Sequence, residues 1–399
     1  MIFSLSSWKY SAAALALMLI LVSCHDDDSS NLSPWGENRQ TLVVYVAGEN
    51  SLSRYVANDI DEILDGKTSI PDSCEVMIYV DDVTSTRIYA VSNHTQASSY
   101  GEMTPEYTYS ENLNSASSDV LDMVLNYAET HHRARSYGLV MWSHASGWIP
   151  SARSPKNSFG CDTQNRTTYD VGYEMDIEDM ASALSRHSLR FILFDACFMQ
   201  SVEVAYTLRH AADYIIGSPA EIPAPGQPYD VIMPALFAQP FDACRLIQIS
   251  GDYYRDNDDT YGMLLSVLRT DRLEAFAEAT RTALHDIDLG NMQTYSVLNY
   301  FRYNKEYKYP DFFDIQGLML KNLSSSAYYS WKQALDSVEV GNYRSDFWYS
   351  ATYGRKLVDS LQYSGVSMFL PLQKYKTDDK DFYDKYISDN EWYQAIQSR

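Results

Sequence analysis

Two apolar runs in this chain each end in a side chain able to do acyl-transfer chemistry. Phe191-Ile192-Leu193-Phe194 leads through Asp195-Ala196 to Cys197, and Gly138-Leu139-Val140-Met141-Trp142 leads through Ser143 to His144. Short continuous apolar runs bounded by polar residues read as strands buried on both faces. A thiol just past the end of such a strand is rigidly held yet reachable. Two parallel strands ending side by side would bring imidazole and thiol to one edge of a sheet, where open α/β folds place their ligands. An imidazole that raises the thiolate fraction of a neighbouring cysteine creates a nucleophile. Asp195, two residues before Cys197, points to the same face of an extended strand, where it either shapes the site or lines a subsite. The plain alternatives are an inert buried thiol, common for cysteine, and a histidine that satisfies a loop carbonyl.

Several elements must position that pair. Residues 41–47 (TLVVYVA) form another fully apolar run, and 76–80, 87–91, 214–217 and 365–370 read as further strands. Leu52, Val56, Ile60, Ile63 and Leu64 recur at steps of three and four, which predicts a helix capped by Ser51 or Ser53 and stopped near Gly66. Helices are also predicted over 117–131, 175–184, 202–208, 273–280, 316–321, 329–335 and 381–386. The polar stretch 149–173 predicts a long mobile loop. Residues 218–228 are also a loop, because proline recurs at Pro219, Pro223, Pro225 and Pro228. Strands alternating with helices predict an α/β fold with a mainly parallel sheet covered on both faces.

The chain has 399 residues and a formal charge of −22, from 31 basic and 53 acidic side chains. That balance argues against nucleic acid, whose phosphates need a basic face, and against charge-driven binding to an anionic membrane. No GxGxxG, P-loop, HExxH or EF-hand occurs; Asp256-Asn257-Asp258-Asp259 lacks the glycine and terminal glutamate of a calcium loop. No metal site is read from the residues.

The first residues stand apart. Lys9 precedes an apolar run over 12–20, too short to span a bilayer comfortably, which reads as a signal-peptide core. It ends in Leu21-Val22-Ser23-Cys24, which resembles the lipobox of bacterial lipoproteins. The resemblance implies a signal peptide over 1–23, lipidation of Cys24 and anchoring to a membrane, with an acidic tether and linker over 24–39. His25-Asp26-Asp27-Asp28 is similar to acidic export signals of outer-membrane, surface-displayed lipoproteins. Cys74, Cys161, Cys197 and Cys244 remain, with no CxxC pair, and no structural disulfide is expected.

His144 and Cys197 are 53 residues apart, close to the roughly 50 by which a caspase's histidine precedes its cysteine. With both motifs in view, the chain resembles the clostripain family of cysteine peptidases, relatives of caspases. TLVVYVAGENSL (41–52), DIDEI (59–63), YGLVMWSHASGW (137–148), FDAC (194–197) and SGVSMFLP (364–371) resemble that family's first strand and turn, first helix, histidine strand, cysteine motif and late strand. The resemblance implies a caspase-like three-layer α/β/α sandwich, a peptidase core over 40–240, and a more helical region over 241–399 that contributes the late strand. It implies His144 as base, Cys197 as nucleophile, oxyanion donors beside Cys197 and at Ala145, and protein or peptide substrates. It requires no cofactor and admits a calcium ion. Self-cleavage in 149–173, at Arg153, Lys156 or Arg166, is a further implication.

Two positions depart from the family pattern. Ala145 stands where glycine is usual, and Pro225 stands where an aspartate usually grips a basic P1 side chain. Glu221 is the nearby acid that could replace it. The rival reading is a catalytically inactive caspase-like lipoprotein that binds glycan or protein through its aromatic C-terminal half.

Overall fold

The computed structural model describes residues 38–148, 159–164, 172–258, 260–300, 312–351, 354–373, 376 and 380–397. The first half of the chain alternates strands and helices: β1 (Gln40–Ala47), α1 (Ser53–Asp65), β2 (Cys74–Asp81), β3 (Thr86–Val91), β4 (Tyr107–Thr108), α2 (Ser118–His131), β5 (Tyr137–Trp142), β6 (Phe159–Asp162), β7 (Tyr173–Met175), α3 (Ile177–Leu184), β8 (Leu189–Asp195), α4 (Val202–Thr207) and β9 (Ala212–Gly217). There follow α5 (Tyr229–Leu236), α6 (Ala243–Asn257), β10 (Leu264–Arg269), α7 (Leu273–Ala283), β11 (Asn299–Tyr300), β12 (Phe312–Asp314), α8 (Ile315–Asn322), α9 (Ser325–Val338) and β13 (Glu339–Arg344). The last elements are β14 (Phe347–Ser350), β15 (Gly354–Leu357), β16 (Ser367–Phe369), α10 (Lys380–Asp389) and α11 (Glu391–Gln397).

Nine strands form the central sheet in the order β13-β10-β9-β8-β5-β1-β2-β3-β4. The five in its middle, β2-β1-β5-β8-β9, are mutually parallel, and antiparallel strands finish both edges. Counted among the parallel strands alone, their spatial order is 2-1-3-4-5. Such a sheet reverses direction between its first and third strands, and a crevice opens there beyond their carboxyl ends. Here that switch point lies between β1 and β5.

The apolar runs are continuous because both faces are covered. All eight residues of β1 are buried. Val43, Tyr45 and Ala47 pack with Leu121 and Val124 of α2, Met180 of α3 and Val204 of α4. The alternate residues Leu42, Val44 and Val46 pack with Val56 and Ile60 of α1, Ile232 of α5 and Leu246 of α6. This is the expected three-layer α/β/α arrangement. Each fully buried aliphatic side chain contributes roughly 1.5–3 kcal/mol, so a charge introduced at Val44 would break the layer outright.

The structure differs from the expectations at three places. Residues 149–173 are not all loop: β6 lies within them and pairs with β7, while Arg153, Lys156 and Arg166 fall outside the described residues, as does Cys24. The late strand, β16, joins β11 and β12 in a small separate sheet, tied to the segment after Cys197 by Ser367 N donating to Gln200 O at 3.0 Å. β10 and β13 are strands beyond those expected, and both extend the central sheet.

Candidate active site

β5 and β8 are adjacent and parallel, with Trp142 in register with Asp195. Their chain extensions therefore leave the sheet at the same edge. His144 and Cys197 line one cleft of about 270 Å³, together with Leu52, Trp142, Asp195, Glu221, Tyr261 and Tyr349.

The cysteine side is tightly braced. Phe198 adopts φ +62°, a left-handed conformation unusual for a bulky residue. That turn is held by Phe198 N donating to Ala220 O and Gln200 N donating to Ser218 O, both at 3.0 Å. Cys197 is half-buried, and Ile222 N donates to its sulfur at 3.4 Å. Burial first, then the Glu221 carboxylate and more weakly Asp195, push the thiol up to about 12, against the pull of the Ile222 N–H.

Asp195 organises the loop opposite. Its Oδ2 accepts from Gln227 N at 2.9 Å and from the Tyr229 hydroxyl at 2.8 Å. Burial raises its carboxyl to about 6, with those two bonds opposing. Gly226 sits against this carboxylate at φ +75°, and a Cβ there would lie 2.7 Å from Oδ2. Only glycine satisfies both the left-handed turn and the close approach. Gly226 N donates to Pro223 O at 2.9 Å, and the Tyr254 hydroxyl donates to Gly226 O at 2.6 Å. Pro225 lies at the exposed outer corner of this turn, and the cleft is lined by its neighbours Pro223, Ala224 and Gly226.

Glu221 reaches the cleft from the same loop. Its two oxygens accept from Ser350 Oγ at 2.8 Å and Ala351 N at 2.7 Å, and burial raises its carboxyl. Tyr349 and Ala351, from β14 and just beyond, thereby become cleft walls.

The histidine side is held differently. Ser51 Oγ lies 2.8 Å from His144 Nε2. The expected helix cap at Ser51 is therefore corrected: α1 begins after Leu52 with no side-chain cap, and the Ser51 hydroxyl faces the imidazole instead. The main chain around His144 is fixed by Ser143 Oγ donating to Ala47 O at 2.7 Å. Gly160 N donates to His144 O at 2.9 Å, and Ala145 pairs with Phe159 in an antiparallel bridge.

Sequence reasoning had no local signal for Tyr261, Tyr349 or Ala351, which reach the cleft from 64 or more positions beyond Cys197. Ser51 had one weak signal, its place directly after a buried strand. Among the described residues, Glu49, Asp81 and Asp162 are the His, Cys, Asp or Glu side chains grouped closely enough to hold a metal ion. None of them lines the cleft.

A mainly parallel α/β sandwich with thiol and imidazole at neighbouring strand ends is the architecture of the caspase-like peptidases. The model of peptidase C11, the clostripain family, matches residues 44–399, and the chain belongs to that family. It is similar to a secreted C11 cysteine protease from Bacteroides thetaiotaomicron solved with an irreversible peptide inhibitor. That structure shares 32% identity and a TM-score of 0.77 over 90% of this chain and 99% of the other. An inactive zymogen C11 protease from Parabacteroides distasonis shares 29% identity and a TM-score of 0.75, over 90% and 98% of the two chains. Clostripain of Hathewaya histolytica is 26% identical across 48% of this chain; the match spans 41% of that curated relative's length.

Proposed function

We propose that this protein is a cysteine endopeptidase in which Cys197 is the nucleophile and His144 its base. The observation that carries the reading is the placement of both side chains in one cleft at the ends of adjacent parallel strands. A thiol pushed up to about 12 is neutral at rest, so His144 takes the Sγ proton as sulfur attacks the peptide carbonyl carbon. The S–C bond forms while the carbonyl electron pair moves onto oxygen. Phe198 N–H is already spent on Ala220 O, which leaves the N–H groups of Cys197 and Ala145 as oxyanion donors. Ala145 retains that N–H although it lacks the freedom of glycine. When the intermediate collapses, the C–N bond breaks and the amine leaves with the proton from His144. Water, deprotonated by His144, then hydrolyses the thioester.

The cleft presents two carboxylates, Glu221 and Asp195, and among the described residues no lysine or arginine lines it. An unpaired cation is costly to bury and needs such a partner, so a basic P1 side chain fits best. Peptides that differ only at P1 test this. Wild type should cleave after arginine and lysine, Cys197→Ala should cleave nothing, and Glu221→Gln should lose the basic preference at least several-fold. Preference undiminished in Glu221→Gln would transfer the anchor to Asp195. Absence of cleavage by wild type on every peptide would favour the inactive binding scaffold.

Two further parts of the reading rest on the sequence. The Parabacteroides relative is described as an inactive zymogen; by analogy, cleavage at Arg153, Lys156 or Arg166 activates this chain. Cys24 carries a lipid that anchors the protein to the outer membrane, facing the surface or the periplasm. Cys24→Ser should release it from the membrane fraction, and unchanged retention would refute the anchor.

A further inference from the structure

Helix α1 carries two acids toward the sheet. Asp59 and Glu62 are three residues apart, which puts both on one stripe of the helix. Asp59 is buried beside Val56, Ile60 and Ile63, and Glu62 is half-buried. Each bonds to a different wall of the cleft. The Trp142 indole Nε1 donates to Asp59 Oδ2, and Trp142 lines the cleft from the end of β5. Tyr229 N donates to Glu62 Oε2 at 3.0 Å, while the Tyr229 hydroxyl donates to Asp195 Oδ2 at 2.8 Å. Trp142 and Asp195 are register partners on β5 and β8. One turn of α1 therefore reaches two neighbouring positions of the cleft, Trp142 directly and Asp195 through Tyr229.

The surroundings of Asp59 are those of a neutral acid. The charges acting on it come from Asp195 and Glu62, both acidic. Asp65 of α1, Tyr229 and Asp230 of α5, and Tyr253 and Tyr254 of α6 face the same group of acids. Burial first, then Asp195, push the Asp59 carboxyl up to about 9; the Trp142 bond opposes and Glu62 adds. Burial raises Glu62 to about 7, against the Tyr229 N–H, and Asp195 to about 6. Neighbouring acids in one dry space cannot all ionise together, and the most strongly raised keeps its proton longest. With the proton on Asp59, Asp195 is free to carry the negative charge at the cleft. A neutral carboxyl still accepts from an indole N–H through its carbonyl oxygen, and a buried N–H left without an acceptor is costly.

We propose that Asp59 and Glu62 are positioning residues that hold two walls of the cleft from behind, Asp59 fixing Trp142 as a protonated acid and Glu62 fixing Asp195 through Tyr229. The kinetic consequences rest on the peptidase reading, whereas the bonds can be measured without turnover.

Protein labelled with 15N at its indoles tests the Asp59 bond, with Trp142→Phe assigning the Trp142 signal. That N–H resonance should stay constant from pH 5 to 8 and move only as pH nears about 9. Asp59→Leu should shift it upfield, and Asp59→Asn, which keeps a neutral acceptor, should leave it near its wild-type position. A resonance that titrates near the usual aspartate value of about 4 would overturn the protonated assignment. If Asp59→Leu does not fold, the wild-type titration decides. Stability supplies an independent sign: between about 4 and about 9 the unfolded chain releases a proton that folded Asp59 keeps, so stability falls as pH rises. Asp59→Asn lacks that proton, and its Tm should exceed wild type at pH 8 and match it at pH 4; a lower Tm at pH 8 would contradict the assignment. With a peptide bearing arginine at P1, Asp59→Leu and Glu62→Ala should raise KM about 10-fold with kcat within about threefold. Asp59→Asn and Glu62→Gln should restore KM. Loss of Tm with KM unchanged, or no rescue by the amides, would make both acids structural only. If wild type cleaves no peptide, the peptidase reading fails, and the affinity of Cys197→Ala for the same peptide replaces KM. A tenfold weaker affinity on adding Asp59→Leu would then uphold the brace, and an unchanged affinity would overturn it.

Discussion

The two sides of the cleft are built on different principles. On the cysteine side, a left-handed turn at Phe198 and paired main-chain bonds to residues 218–222 hold the sulfur in place. The Asp195 network fixes the loop opposite. The same burial and the same carboxylates push the thiol up to about 12, so the bracing that positions the sulfur also keeps its proton on. On the histidine side, the Ser51 hydroxyl meets the imidazole, and β6 secures the backbone. On the proposed mechanism, the cysteine side supplies position and the histidine side supplies reactivity.

Disturbing the braced side should have the larger effect. Gly226→Ala forces an L-residue into φ +75° and places a Cβ against Asp195 Oδ2. Strain of this kind costs on the order of 1–3 kcal/mol, and the loop must move away from Asp195. We expect kcat/KM to fall about 10- to 100-fold with a reduced Tm; wild-type kinetics in this variant would show that the turn does not shape the cleft. On the histidine side, Ser51→Ala removes one hydrogen bond, worth about 0.5–1.5 kcal/mol. It should lower kcat roughly 2- to 10-fold and leave KM and Tm nearly unchanged. A loss of Tm without a loss of kcat would make Ser51 a structural residue only.

The same contrast explains what could be read from the sequence. β1, β5 and β8 were legible because a strand buried on both faces must be apolar throughout, and the two chemical side chains lie directly after such runs. The roles of Ser51 and Gly226 were not legible. A serine before a helix reads as a cap, and only three-dimensional proximity shows that its hydroxyl faces His144. A glycine in a proline-rich loop reads as a turn, and nothing nearby in sequence shows that Asp195 packs against it. Pro225 stands where the family pattern has an aspartate, yet the adjacent Gly226 makes the close approach to Asp195. Tyr349 and Ala351 reach the cleft through β14, whose pairing with β15 has no counterpart in the apolar pattern of the core.

The central claim is that His144 activates a thiol that its own surroundings hold neutral. The rate of Cys197 alkylation by a peptidyl electrophile with arginine at P1, followed from pH 5 to 11 in wild type and His144→Ala, tests it directly. A neutral thiol becomes reactive only as pH approaches its raised value, so without the imidazole the rate should stay low at pH 7 and climb continuously toward about 12. In wild type the rate should already be high near neutral pH and level off, at least about 100-fold above the variant at pH 7. Superimposable profiles for the two proteins would contradict the account.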